Sequence, residues 1–235
     1  MKFELGGKPL VIGHRGAPLR APENSLASFE AAFDCGADAI ELDVSAGLAV
    51  SHSRRPRGET LALEKALELV RARDARVLVD LKCPGVERAV AAEVRRHGLL
   101  DRAFVSSTSP VALRRLAAAE PALTRSISYP NDRFRVSRFA WPAPVGEASS
   151  AAARAAMPLR VPLLLAAARA SVITLHHRLV TPAVVEAARR RGVPVVTWTV
   201  NEPAGIERVC RAGVAGVITD DPEMARATVD RLTLS

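Results

Sequence analysis

The strongest constraint on this chain is a rhythm. Short runs rich in Val, Ile and Leu fall near residues 9–13, 38–44, 76–81, 103–107, 123–128, 171–175, 194–200 and 215–219. Each has the length of a strand, and each is continuously apolar rather than alternating, as strands buried on both faces are. Helical patterns near 24–35, 60–73, 85–97, 109–119, 150–169, 181–191, 203–212 and 222–232 fill the intervals. Strand followed by helix, repeated, makes βαβ units and a parallel sheet. Eight such units predict an α/β fold, the closed (β/α)8 barrel. At 235 residues the chain has the size of one such barrel. It can bury most of its unfolded surface without a disulfide or structural metal. A single domain over residues 1–235 is expected, with no internal boundary.

Local signals agree with this rhythm. Asn24 or Ser25, Thr181 and Asp221 stand where helix caps are wanted, the last two followed by proline. Gly36, Gly98, Gly192 and Gly213 follow helical stretches and suit the left-handed closing position. Two stretches break the rhythm. Residues 129–149 carry three prolines and predict a long irregular loop after the fifth strand. Residues 52–60, HSRRPRGET, are basic and turn-like.

In such barrels the active site gathers at the carboxyl ends of the strands. The polar residues fall there. His14 and Arg15 end the first apolar run, Glu41 and Asp43 the second, Asp80 and Lys82 the third, and Trp198 and Asn201 the seventh, while His52 follows the short apolar run GLAVS. Glu41 and Asp43 are two apart on a strand, so they share a face at about 6.5 Å between Cα atoms. Two buried like charges repel unless a cation lies between them. With Asp80 they make a hard oxygen set suited to a divalent cation, Mg²⁺ or Ca²⁺. No Cys or His cluster points to zinc.

Imidazole titrates near neutral pH, so His14 and His52 are candidates for a general acid and a general base. Arg15 and Lys82 are candidates for holding phosphate, by a two-oxygen grip and a point charge respectively, or for neutralising the carboxylates. Glu23 and Asn24 are expected to fix the first loop and cap the following helix. Trp198 can wall a substrate pocket or fill the core. His176 and His177 follow the sixth strand with no assigned role, and His97 at a helix end reads as structural.

His14-Arg15-Gly16, then Pro22-Glu23-Asn24-Ser25, then Glu41-Leu42-Asp43, with VVTWTVNEP at 195–203 and GVAGVITDDP at 213–222, resemble the signature of the glycerophosphodiester phosphodiesterases. The resemblance covers nearly the whole chain. It implies a metal at the strand ends, catalytic roles for His14 and His52, and a place for Glu23 near the site. Three departures stand out. The family commonly has glutamate at the position of Asp80, whereas the related venom sphingomyelinase D enzymes place aspartate before a similar lysine. Ser53 follows His52 where the family reads aspartate. Only 28 positions separate His52 from Asp80, so the family's small cap after strand two is reduced and the pocket should be open or covered by the 129–149 loop.

The expected activity is metal-dependent hydrolysis of glycerophosphodiesters to glycerol 3-phosphate and an alcohol. Lysophospholipase D-type action on larger lipid diesters is the alternative, and a phosphate-binding barrel without catalysis the third reading. The net charge of +8, from 33 basic and 25 acidic residues, is spread over helices rather than gathered in one block; it suits phosphate-bearing partners or a solvated surface. Aromatic content of 4% argues against base stacking, so no nucleic-acid partner is expected. MKFELGGKPL has no signal-like apolar stretch and no run is long enough to span a membrane. Three cysteines without a motif fit a reducing compartment. A cytoplasmic enzyme of small-molecule or lipid-derived diesters is expected, with peripheral membrane contact allowed and no oligomeric state assigned.

Overall fold

The structure is a computed structural model and describes residues 7–130 and 143–233. The elements run β1 (Leu10–His14), α1 (Leu26–Asp34), β2 (Ala39–Val44), β3 (Ala49–Val50), β4 (Leu61–Ala62), α2 (Leu63–Ala72), β5 (Arg76–Leu81), α3 (Glu87–Arg96), β6 (Ala103–Ser107) and α4 (Pro110–Ala119). They continue with β7 (Thr124–Tyr129), α5 (Ala143–Ala168), β8 (Val172–His176), α6 (Pro182–Arg189), β9 (Val195–Trp198), α7 (Pro203–Arg211), β10 (Gly216–Thr219) and α8 (Pro222–Thr233). The sheet order β1-β10-β9-β8-β7-β6-β5-β2, closed by pairing of β1 with β2, makes an eight-stranded parallel barrel. The expected (β/α)8 fold is therefore present. The two-residue strands β3 and β4 add an antiparallel flap to the end of β2. They were not foreseen, because two residues are too short to show a period.

Burial explains the layers. Ile12, Ala39, Leu78, Phe104, Val172, Val196 and Ile218 form one cluster, contributed by β1, β2, β5, β6, β8, β9 and β10; it fills the barrel. Two larger clusters lie between sheet and helices, one beneath α1–α4 and one beneath α5–α8. Helix α2 shows the logic: Leu63, Ala66, Leu67 and Val70 are buried at helical spacing. Replacing Leu67 by alanine should cost about 2–5 kcal/mol.

Strand period two carries the interior face from this apolar layer to the strand ends. Two residues beyond Ile12 stands His14, beyond Ala39 stands Glu41 and then Asp43, beyond Leu78 Asp80, beyond Val196 Trp198, and beyond Ile218 Asp220. Register aligns them: His14 pairs with Glu41, Asp43 with Asp80, and Asp80 with Ser106.

Two expectations need correction. Ser25, not Asn24, caps α1, accepting from the Ser28 amide; Asn24 sits at φ 58° and bonds Asp43 instead. The break expected over 129–149 extends less far, because α5 already begins at Ala143; proline is tolerated in a first helical turn, so Pro144 does not delay it. Residues 131–142 of that stretch, and the N-terminal residues 1–6, lie outside the described residues.

Candidate active site

One oxygen from each of Glu41, Asp43 and Asp80 lies within 4.8 Å of the others. Glu41 and Asp43 are buried, at 4% and 0% exposure. Lys82 lies against two of the three, its Nζ 2.6 Å from Asp43 Oδ1 and 2.5 Å from Asp80 Oδ2. Ser106 donates to the other oxygen of Asp80. Asn24 grips Asp43 twice: its Nδ2 donates to Oδ2 at 3.1 Å, and its Oδ1 accepts the Asp43 amide at 3.1 Å.

The charges divide unevenly. Burial, then the neighbouring Asp43 charge, pushes the Glu41 carboxyl up to about 7. Burial pushes Asp43 the same way, but the His52 hydrogen bond and the Lys82 and Arg15 charges outweigh it and hold Asp43 well below the carboxylate range. Burial opposes the charge on Lys82, yet Asp80, Asp43 and Glu41 drive its pKa far above the usual lysine range. Even with Lys82 present, Glu41 thus lacks full positive compensation.

The turn after β1 is tightly built. Gly16 has φ 94°, and a Cβ there would lie 2.3 Å from Ser28 Oγ, so only glycine fits. Ser28 ties the turn down, donating to the Arg15 carbonyl at 3.0 Å and accepting from the Ala17 amide at 2.9 Å. The Arg15 amide donates to Glu41 at 2.9 Å, while its guanidinium reaches Glu23 at 2.8 Å and Asp43 at 3.0 Å.

The histidines differ. His14 Nδ1 lies 2.6 Å from Asp220 Oδ1. Burial works against its charged form, but the Asp220 bond and the Glu41 charge prevail and raise its pKa. His52 Nδ1 lies 3.2 Å from Asp43 Oδ2 and 3.0 Å from Arg15 Nη2. A carboxylate only accepts and a guanidinium only donates, so His52 Nδ1 can satisfy one of the two at a time.

The chain that carries this arrangement has relatives among known proteins. The sequence profile of the Glycerophosphoryl diester phosphodiesterase family fits residues 14–47 and 69–224 of this chain. The chain belongs to that family. A glycerophosphodiester phosphodiesterase of Caldanaerobacter subterraneus subsp. tengcongensis is 27% identical, over 92% of this chain and 96% of the relative. The fold is also that of the putative glycerophosphoryl diester phosphodiesterase of Silicibacter pomeroyi, with a TM-score of 0.72 at 22% identity, covering 97% of this chain and 95% of that one. The Oleispira antarctica phosphodiesterase, solved in complex with the product sn-glycerol-3-phosphate, superposes with a TM-score of 0.70 at 20% identity, covering 94% and 97%.

In this family member, eight of the ten expected site residues join one group of hydrogen bonds and ion pairs, Arg15, Glu23, Asn24, Glu41, Asp43, His52, Asp80 and Lys82, and His14 stands opposite Glu41 in the barrel register. Trp198 stands apart on β9, packed against the barrel-filling cluster and edge-on to His176 at 5.1 Å; its Nε1 is buried without a hydrogen-bond partner. Asn24 supports the site through Asp43 rather than as a helix cap. His97 stands at the end of α3, with Nδ1 2.8 Å from the Glu93 carbonyl. The site residues not foreseen are Asp220 and Ser106. For Asp220 the signal was present: two positions beyond Ile218, it continues the interior face, while the TDDP run drew notice to Asp221 as a cap. Asp221 does cap α8, accepting from the Met224 amide at 3.1 Å.

Proposed function

We propose that the chain hydrolyses glycerophosphodiesters to glycerol 3-phosphate and an alcohol, with a divalent cation, Mg²⁺ or Ca²⁺, held by Glu41, Asp43 and Asp80. The observation that carries this reading is the convergence of three carboxylate oxygens within 4.8 Å of one another, beside His14 and His52. The donors fit the group: all are hard oxygens, and the raised Glu41 pKa marks a place short of positive charge. A bound cation would supply charge stabilisation to the phosphoryl oxygens. His14 and His52 act as the acid and base pair. Lys82 and Arg15 hold phosphate oxygens and balance the carboxylates. Trp198 walls the pocket, while Glu23 anchors Arg15 and Asn24 fixes Asp43. The Oleispira antarctica complex supports glycerol 3-phosphate as the product. Residues 1–235 act as one domain in this reading, and the protein works in the cytoplasm.

A second reading has its own observation. A cavity of about 660 Å³ opens beside His52, lined by Glu23, Asn24, Leu26, Val50, Glu59 and Leu61 among others. Its partly apolar wall favours larger leaving groups, as in lysophospholipase D-type cleavage of lipid diesters. Among the described residues no helix is long and apolar enough to cross a membrane, so such a lipid would be met at a surface.

The test is release of glycerol 3-phosphate from a panel of headgroups and from lysolipids, with Mg²⁺, with Ca²⁺ and with EDTA. Turnover that survives exhaustive chelation would remove the metal from the proposal. Lack of product from every diester would remove the activity.

A further inference from the structure

We infer that Asp220, clasped by Asn201, is a positioning residue that fixes which nitrogen of His14 faces the substrate. The inference rests on the catalytic role proposed for His14. Neither Asp220 nor Asn201 touches the carboxylate cluster in the described hydrogen bonds; their partners are His14, Thr219 and each other.

The geometry leaves one arrangement. Asn201 Oδ1 accepts from the Asp220 amide at 2.9 Å and from the Thr219 hydroxyl at 3.3 Å. The backbone amide can only donate, so this end of the side chain is the oxygen, and the opposite end, 2.5 Å from Asp220 Oδ2, is the NH₂ group. Asp220 is thus held at its backbone and at one carboxylate oxygen. The other oxygen meets His14 Nδ1 at 2.6 Å. An ionised carboxylate only accepts, so Nδ1 carries hydrogen whether the imidazole is neutral or charged. Nε2 is then the one nitrogen that can give or take a proton at the substrate. Bonding to His14 holds the Asp220 carboxyl below its ordinary range against the opposing effect of burial, which keeps it an acceptor.

The barrel uses the same device twice. Asn24 holds the amide and Oδ2 of Asp43 at 3.1 Å each, leaving Oδ1 for Lys82. Asn201 holds the amide and Oδ2 of Asp220, leaving Oδ1 for His14. In both, an asparagine from a neighbouring loop fixes the plane of an aspartate at a strand end, and the free oxygen orients a functional side chain.

The clasp makes a specific forecast. In Asp220→Asn, the Asn201 NH₂ group still demands an acceptor, so the new amide turns its oxygen toward Asn201 and its NH₂ toward His14. Nδ1 must then accept, and the proton moves to Nε2. Turnover should fall by roughly 10²–10⁴-fold, up to the loss of about 10⁴ seen when the orienting carboxylate of a catalytic histidine becomes an amide, with KM changed less than about threefold. The exchanged pair Asn201→Asp with Asp220→Asn should let the amide turn round, return Nδ1–H and recover at least about tenfold of the loss. A role in folding alone would predict no such recovery.

Nitrogen-15 NMR of the His14 ring reads the tautomer directly, without substrate, beside steady-state kinetics on a glycerophosphodiester. Nδ1–H in the wild type, Nε2–H in Asp220→Asn and Nδ1–H again in the exchanged pair establish the clasp. Nδ1–H retained in Asp220→Asn, or near-normal kcat there, would overturn it. If Asp220→Asn does not fold, Asn201→Ala serves instead: mixed tautomers and a roughly tenfold lower kcat support the inference, and unchanged values sink it. Should the wild type cleave nothing, the tautomer series still decides the clasp, and the proposed activity alone fails.

Discussion

The two histidines of the site stand in regions of opposite construction. His14 closes a barrel strand, its side chain 22% exposed, on a turn locked by Ser28 and Gly16. Its Nδ1 has a single acceptor partner. His52 lies beyond the β3–β4 flap edge, its side chain 58% exposed, with Nδ1 placed between an acceptor and a donor. The difference teaches how a barrel can build the acid and base pair proposed for it. One member is preset by the tertiary structure, and the other is free to change its hydrogen-bond partner when substrate arrives. Asp43 connects the regions, since it touches Asn24, Arg15, Lys82 and His52 at once.

The largest effect should come from breaking that connection. Asp43→Asn and Glu41→Gln should each abolish detectable turnover, since an amide brings no charge to a cation, while the fold survives. Asp43→Asn should also loosen His52 without altering the ring of His14, as NMR of both rings would show. Full activity with metal still required would take either residue out of the coordination shell.

Next come the histidines themselves. His14→Ala and His52→Ala should each lose roughly 10²–10⁴ in kcat, with KM changed far less. The comparison predicts unequal rescue: free imidazole should restore some turnover to His52→Ala, whose place is open, and little to His14→Ala. Equal rescue would erase the distinction between the two histidines. Near-normal turnover in His52→Ala would show that another group serves across the Ser53 departure.

Asp80 tests the metal side more gently. Asp80→Asn should weaken metal binding by about 10–100-fold, comparable to losses at groups that support a metal site, measured by calorimetry or activation curves. Asp80→Glu separates two arrangements: lower activity means direct ligation by the shorter side chain, and tighter metal binding means a water lay between. Unchanged affinity in Asp80→Asn would reduce the site to two carboxylates.

The smallest effect is on stability. Asp43, with its pKa depressed, contributes stability above the ordinary carboxylate range and loses it as the pH falls through and below that range. Glu41 has the opposite sign: its carboxyl moves from 4.5 to about 7, so its contribution is full below 4.5 and disappears as pH rises to 7. Without metal, Glu41→Gln should therefore be more stable than wild type at pH 8, by on the order of 1 kcal/mol, and little different at pH 4. Urea unfolding in EDTA at the two pH values reads this. By the same linkage, metal binding near pH 7 should release protons, visible as a buffer-dependent binding enthalpy.

The sequence by itself determined the barrel and most of its mouth. Eight apolar runs, each followed by a helical pattern, admit few topologies, because a parallel strand pair needs a crossover. Glu41 and Asp43 were legible as a pair from the two-residue period of a strand, and His14, Asp80 and Lys82 from their place at strand ends. Closure of the ring decided what spacing could not. Pairing of β1 with β10 brought Asp220 to His14 across 206 residues of chain, and the left-handed turn at Asn24 moved its amide from the helix end to Asp43. The orientation of each histidine was likewise decided only in three dimensions. A tautomer is set by the partner that reaches the ring nitrogen, and that partner arrives from a distant strand end.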